Sequence, residues 1–460
     1  MRRIVESPIM LMTCRVASVV VLLFGCCQSL QAETWKAGAA RVNITPDTLM
    51  WMSGYGSRDH VAEGKRTDLW AKALMLEDPA GERAVLITLD LVGIDRETSG
   101  NVCRQVQEKF GLQRRQVALN VSHTHCGPVV GHNLGAMYFF GDEERQRVST
   151  YTATLEKKLV ALVGEALGKL APATISWGSG RATFAVNRRN NKEADVPAIR
   201  AANQLKGPVD HDAPVLAVKD SEGRLVAVAF GYACHATVLS FYEWCADYPG
   251  YAQSALEEAH PGAVALFWAG CGADQNPLPR RTVELAEGYG RQLAQAVDSV
   301  LAGPMTSLSG SLSTTYAEID LPFDTLPTRE QLDADTKSTN KFIAQRAKLL
   351  AAQVDSGKPL SPTYPYPVQT WRLGPDLKFI TLGGEVVVDF AVRLKQELGP
   401  KTTWVAGYSN DVMAYIPSLR VLKEGGYEGA SAMIYYGLPT SWAPTVEDWI
   451  VKEVQRQNRR

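Results

Sequence analysis

Short stretches in which apolar and polar positions alternate, or which stay apolar for five to eight residues and stop at Gly, Pro or Asp, predict strands. Residues 69–77 and 84–92 read as a strand pair about the turn Asp78-Pro-Ala-Gly81. Residues 215–219 and 224–232 form a second hairpin about Asp220-Ser-Glu-Gly223. Further strands are expected at 37–46, from Ala118 into the Ser-His-Thr-His stretch, and at 174–186, 263–269, 311–321, 368–373, 378–382 and 403–407. Apolar positions three and four apart predict helices over 95–110, 144–170, 248–259, 282–301, the stretch following Glu385 as far as Leu398, and 446–457. A single exposed, charged helix is expected over 328–352, and residues 361–367 read as a Pro/Tyr-rich linker. Strands and helices alternate with hairpins mixed in, which favours an α/β fold with a mixed sheet core and flanking helices. There is no internal sequence repeat and no convincing linker, so one large catalytic domain over 33–460 is expected.

Composition narrows this picture. Of 460 residues 45% are hydrophobic and 21% charged, enough for a sizeable core. The formal charge of −1, from 48 basic and 49 acidic residues, argues against a general electrostatic grip on nucleic acid. Met1-Arg-Arg3 followed by an apolar run over 16–24 reads as a signal peptide over 1–32, cleaved after Ala32. Leu23-Phe-Gly-Cys26 offers the alternative of a lipoprotein anchored through Cys26. The protein is therefore expected to be exported, periplasmic or extracellular. No later stretch is long and apolar enough for a membrane span, so the mature chain should be free or in peripheral membrane contact. Five cysteines follow the leader, and Cys234 with Cys245 is one conceivable disulfide. Cys126, Cys234 and Cys271 read as small buried packing residues.

The chemistry collects where apolar strands give way to loops. In Ala118-Leu-Asn-Val-Ser-His-Thr-His-Cys-Gly-Pro128, two imidazoles two residues apart would share one face of an extended segment. One can hold a metal while the other acts as a near-neutral acid or base. His235 has the same placement after 224–232, and Glu385 follows Gly383-Gly384 at another strand end. A catalytic zinc takes about three N/O ligands and leaves a position for water. Taken singly, His235 could equally be a satisfied core histidine and Glu385 an N-terminal helix charge.

Ser122-His-Thr-His-Cys-Gly-Pro128 resembles the histidine motif of the neutral/alkaline non-lysosomal ceramidases. In the family's order, Asn187-Arg188 resembles its arginine motif, Ala233-Cys-His-Ala-Thr237 its second histidine segment and Gly384-Glu385 its Gly-Glu motif. Residues 410–416 resemble its tyrosine loop and Tyr427-Glu-Gly-Ala-Ser431 its YEGAS-like segment. The resemblance implies Zn2+ held by His123, His235, Glu385 and Tyr415, with His125 as acid/base and Arg188 and Tyr427 polarising the carbonyl or its oxyanion. The family's serine-bearing Gly-Asp-x-Ser-Pro-Asn segment should fall at 270–277, where Gly270-Cys-Gly-Ala-Asp-Gln-Asn-Pro277 has no serine. Asp274 or Gln275 could hydrogen-bond in its place, or shape a turn. The chain also ends soon after the YEGAS-like segment, without the C-terminal β-sandwich typical of full-length ceramidases. Asp247 resembles a family position near the site and could equally cap the following helix.

The resemblance implies a secreted zinc-dependent amidohydrolase acting on a small-molecule or lipid amide, in the strict form splitting N-acylsphingosine into sphingoid base and fatty acid. The alternatives are an amidase or esterase for another substrate, and a non-enzymatic lipid- or glycan-binding descendant of the fold.

Overall fold

The computed structural model describes residues 1, 4–6, 8 and 34–459. The expected leader cleavage after Ala32 and the alternative anchor at Cys26 lie outside the described residues. Three strands, Lys36–Asn43, Trp70–Glu77 and Arg83–Leu89, form an antiparallel meander. The Arg96–Phe110 helix then returns the chain so that Val117–Val121 runs parallel to Arg83–Leu89. The helix bounds follow from local chemistry. The Asp95 side chain accepts the Thr98 amide at the N-terminus, and Gly111 takes the left-handed conformation (φ 74°) that ends the helix.

The same succession occurs twice more. Thr174–Arg181, Asp212–Lys219 and Leu225–Tyr232 form a second meander, and the Asp247–Ala259 helix leads into Val264–Ala269, parallel to Leu225–Tyr232. Leu312–Pro322, Thr363–Leu373 and Leu377–Leu382 form a third, and the Val388–Leu398 helix leads into the parallel strand Thr403–Ala406. The expected mixed α/β architecture is therefore built as three sheets of one topology, a repetition of architecture that leaves no repeat in the residues.

The three parallel strands meet end to end. Asn120, fully buried, accepts the Ala269 amide (2.8 Å) and donates to the Gly407 carbonyl (2.8 Å) and the Ser409 hydroxyl (3.0 Å). Isolated bridges join Asn120 to Ser409 and Gly270 to Ala406. One apolar cluster draws on all three sheets, with Leu74 and Leu86 from the first, Leu216 and Trp268 from the second, and Trp371, Phe379 and Trp404 from the third. Burial of these alternating faces packs the sheets together, and the loops that follow the strands are brought to one place. Residues 34–460 form one compact unit. No helix among the described residues is long and apolar enough to cross a membrane.

Two expectations are corrected. The helix expected over 328–352 is two helices, Arg329–Asp335 and Lys341–Asp355, the second capped by the Asn340 side chain on the Phe342 and Ile343 amides. A competent N-cap inside a continuous helical pattern starts a new helix. Residues 361–367 are no linker, because Thr363–Leu373 is one strand. Pro365 and Pro367 lie where only Leu312–Pro322 pairs with it; the second neighbour joins at Val368. Proline is tolerated on such a one-sided stretch because its missing N–H is not needed there. All five cysteines after the leader are free and buried, so Cys234 and Cys245 are not bonded and all pack as small core residues.

Candidate metal centre

Each of the three sheets delivers part of one cluster. After Val117–Val121 the Ser122 amide donates to the Leu89 carbonyl (2.8 Å), and His123 then adopts φ 62°. The chain thus leaves the extended conformation that the i,i+2 spacing suggests. A left-handed turn, costly for a non-glycine residue and common at functional sites, brings the His123 and His125 rings to 4.8 Å. His235 follows Leu225–Tyr232 and is fixed by its amide donating to the Gln275 carbonyl (2.9 Å). Glu385 follows Leu377–Leu382 through Gly384 (φ 74°), where a Cβ would stand 2.6 Å from the Ala414 carbonyl oxygen. The short strands Glu385–Val386 and Tyr415–Ile416 run parallel with Glu385 and Tyr415 as direct partners. Backbone register therefore accounts for a carboxylate and a phenol thirty residues apart facing one point.

The cluster is buried and tight. Glu385 Oε2 lies 3.1 Å from His123 Nε2 and 3.2 Å from His235 Nε2. His125 Nε2 is 3.1 Å from His123 Nε2, and the Tyr415 hydroxyl is 3.3 Å from His235 Nε2. His123 Nδ1 lies 2.6 Å from the Val92 carbonyl, and His235 Nδ1 2.7 Å from that of Gly272. A carbonyl only accepts, so both Nδ1 atoms carry the proton and, in the neutral rings, both Nε2 atoms present lone pairs inward. Glu385 Oε2, buried, has no hydrogen-bond donor among the described residues. Lone pairs and a carboxylate oxygen aimed at one point in a dry interior repel one another unless a cation stands between them. The N/O donor set with backbone-locked imidazoles fits a divalent ion such as zinc. His123, His125 and His235 form a group of potential ligand atoms lying within 4.8 Å of one another.

Electrostatics agree with that donor state. Burial, reinforced by His123 and His235, holds His125 well below the ordinary imidazole range. Burial and the nearby Arg188 lower His235 to about 4. Burial opposes ionisation of Glu385, and what holds the carboxyl well below its usual range is positive charge and N–H donation from the two imidazoles when protonated, a part that a bound cation would take over beside neutral rings. Burial and the charge of Glu385 push the Tyr415 phenol upward. A bound cation reverses the sign of that influence on a phenol.

The structure brings most of the expected residues here. Arg188 Nη2 reaches the Tyr415 hydroxyl (3.2 Å), while Nε donates to Glu428 (2.7 Å) and Nη1 to Asn276 (3.2 Å). Tyr427, 41% exposed, packs its ring 5.2 Å from that of Tyr415. It opens a π-helical turn over Tyr427–Ser431, a rare geometry that recurs at functional sites. Asp274 is not brought to the cluster. Its carboxylate accepts the Val388 amide (2.8 Å) at the start of the 388–398 helix and the Asn187 side chain (3.0 Å), and its carbonyl accepts the Arg188 amide (2.8 Å). Gln275 donates to the Ala233 carbonyl (2.6 Å). Both residues of the serine-less segment hold the Arg188 and His235 loops in place. Asp247 is the first residue of its helix rather than the cap, with φ 53°. Its carboxylate accepts the Leu239 (2.9 Å) and Tyr248 (2.6 Å) amides, which ties the helix to the loop after His235.

Sequence reasoning missed three contributors. Tyr436 hydrogen-bonds Glu385 Oε1 (2.5 Å). Glu428 holds Arg188 and Arg189 together. Gly54 sits where a Cβ would lie 2.5 Å from His125 Nδ1, with the Tyr55 ring 4.7 Å from that imidazole. The glycine-rich run at 52–56 was the available signal for Gly54 and the YEGAS-like segment for Glu428; Tyr436 offered none.

Residues 35–277 match the family model described as neutral/alkaline non-lysosomal ceramidase, N-terminal. The neutral ceramidase of Pseudomonas aeruginosa is 25% identical over 221 residues, covering 45% of this chain and 31% of that protein. The neutral ceramidase of Oryza sativa is 24% identical over 276 residues, covering 57% of this chain and 32% of its own length. The matched region thus spans about a third of these relatives. The solved structure of the Pseudomonas aeruginosa neutral ceramidase superposes with a TM-score of 0.71 at 19% identity, over 93% of this chain and 75% of that one, a likeness of fold.

Proposed function

Because the chain belongs to the neutral/alkaline non-lysosomal ceramidase family, we propose that it is an exported zinc-dependent hydrolase that cleaves the amide bond of an N-acyl lipid, with ceramide as the strict form of the substrate. The observation that carries the reading is the convergence of His123, His235 and Glu385 on one buried point with the Glu385 Oε2 unpartnered. His123, His235, Glu385 and Tyr415 would hold the ion. An ion held there would lower the pKa of a water towards neutrality and polarise the scissile carbonyl.

The chain's own residues supply the remainder. His125, neutral through burial and beside the ligand set, takes a proton during attack and returns it to the leaving amine. Arg188 is already oriented by Glu428 and Asn276, so its guanidinium stabilises developing oxyanion charge with little reorganisation. Tyr427, exposed beside it, offers a hydroxyl to the same oxygen. A row of rings runs outward from the cluster: Tyr415 to Tyr427 (5.2 Å), Tyr427 to Tyr435 (6.1 Å), Tyr435 to Phe342 (4.9 Å) and Phe342 to Phe139 (5.7 Å). Phe139 is 46% exposed, so the row leads from solvent to the reaction centre and supports an apolar acyl chain as one half of the substrate.

The test is hydrolysis of a short-chain fluorescent ceramide by metal-replete protein with and without chelator, alongside a panel of other amides and esters. Chelator-sensitive turnover is expected. Metal-loaded protein that turns over nothing on the panel would leave the cluster as a structural metal site and the chain as a binder.

A further inference from the structure

Tyr427, which joins the aromatic row, also lines a pocket of about 510 Å³ that is rich in basic side chains. Arg188, Arg189, Lys192 and Arg280 line it against only two carboxylates, Glu193 and Glu428. Those carboxylates are committed. Glu193 takes Arg280 at 2.8–3.0 Å, and Glu428 is shared by Arg188 (2.7 Å) and Arg189 (2.6 Å). Glu424 adds one more partner to Arg189 from outside the lining, and positive charge still exceeds negative. Lys192 is exposed and pairs with no carboxylate among the described residues. The paired guanidiniums are fixed walls, and Lys192 is an exposed lining cation without a carboxylate partner among the described residues.

We propose that this pocket binds an anionic group carried on the polar half of the substrate, so that the preferred substrate is an N-acyl amide with a carboxylate or phosphate on its amine side. The inference rests on the N-acyl amide hydrolase reading above and puts an anionic amide ahead of neutral ceramide as its substrate. Arg188 and Tyr427 belong both to the pocket wall and to the reaction centre, so a substrate whose carbonyl sits at Arg188 has one half directed along Tyr435 and Phe342 and the other into the basic pocket. Fixed guanidiniums meet oxyanions with little entropic loss, and an exposed lysine without a carboxylate partner attracts them from solution. A neutral headgroup would leave that charge unanswered.

The experiment compares N-octanoylglycine with N-octanoylethanolamine, which share the acyl amide and differ in carboxylate against hydroxymethyl. Binding to the zinc-loaded protein is measured by calorimetry and fatty-acid release is followed in parallel. The glycine conjugate should bind about tenfold tighter, the size of one charge-assisted contact. That ratio should shrink with added salt and fall to one or below in Lys192→Glu. N-octanoylphosphoethanolamine distinguishes the two anions: tighter binding than the glycine conjugate assigns phosphate, weaker binding assigns carboxylate. Equal binding of the neutral and anionic probes overturns the proposal, as does a preference that survives Lys192→Glu. Anion preference without release of fatty acid from any probe would remove the hydrolase reading and leave the pocket, whereas release from both with no preference would do the reverse.

Discussion

Glu385 is held by what touches its two oxygens: Oε2 faces the imidazoles, and Oε1 is hydrogen-bonded by the Tyr436 hydroxyl. Groups that orient a ligand are typically worth 10–100-fold in metal affinity. Tyr436→Phe should therefore weaken zinc binding by about that factor with the fold intact, read by competition with a chromophoric chelator. His123→Ala should empty the site and abolish hydrolysis together; zinc retained at full occupancy would overturn the ligand assignment. Gly54 bears on the other imidazole. An alanine there meets both a φ of 98° and the His125 ring at 2.5 Å, so Gly54→Ala should cost about 1 kcal/mol of backbone strain. It should also displace the proton carrier, lowering kcat while zinc content stays at the parent level by metal analysis. The histidines and Glu385 were legible because each sits at the end of an apolar strand, a pattern that periodicity reports. Tyr436 was not, since a tyrosine pair on a short helix reads as packing until the distance to Glu385 is known.

The helix expected over 328–352 turned out to be two because Asn340 caps a new start, and that break places Phe342 beside Gly56, Phe139 and Tyr435 at the end of the aromatic row. Phe342→Ala should lower kcat/KM for a dodecanoyl amide relative to a hexanoyl amide. The lost wall corresponds to one or two CH2 groups at about 0.8 kcal/mol each, roughly four- to fifteen-fold; an unchanged ratio would remove Phe342 from the acyl path. A second element-level expectation concerns pH. Burial raises Asp247, at the start of the 247–259 helix, from 3.8 to about 7. The folded state holds that proton more tightly than the unfolded chain, so its contribution is complete below pH 4 and is lost as pH climbs towards and past 7. Urea midpoints of the parent should carry that decline between pH 4 and 7 together with those of Asp90, Asp274 and Asp411, which burial raises in the same way, and Asp247→Asn should make it shallower. Most helix and strand bounds were readable from periodicity and turn chemistry. The Thr363–Leu373 strand was not, because its prolines are acceptable only on a stretch paired from one side, and pairing is a tertiary fact.

At the scale of the molecule, three sheets of one topology place their parallel strands end to end, and Asn120 is the polar joint among them. Nothing in the sequence announced this, because a repeated topology needs only repeated alternation and turn spacing, and different apolar residues satisfy those equally well. The arrangement explains why ligands so far apart in the chain converge. His123, His235 and Glu385 each leave the end of a strand from a different sheet, so the geometry of the ion site is set by how the sheets meet. Asn120→Ala strands the Ala269 amide in the interior, at about 1–3 kcal/mol, while the Gly407 carbonyl loses one donor and keeps the Ser409 hydroxyl (2.7 Å). A stability loss of roughly 1–3 kcal/mol is expected from denaturant unfolding. The comparison is with Leu332→Ala, a fully buried residue of the separate cluster with Leu350 and Ala351 and a truncation at least as costly, about 2–5 kcal/mol. If the junction of the sheets sets the site, Asn120→Ala weakens zinc affinity well below its unfolding transition and Leu332→Ala leaves it at the parent value. Equal zinc affinity in the two variants would mean that the loops hold their own geometry and the meeting of the sheets merely carries them.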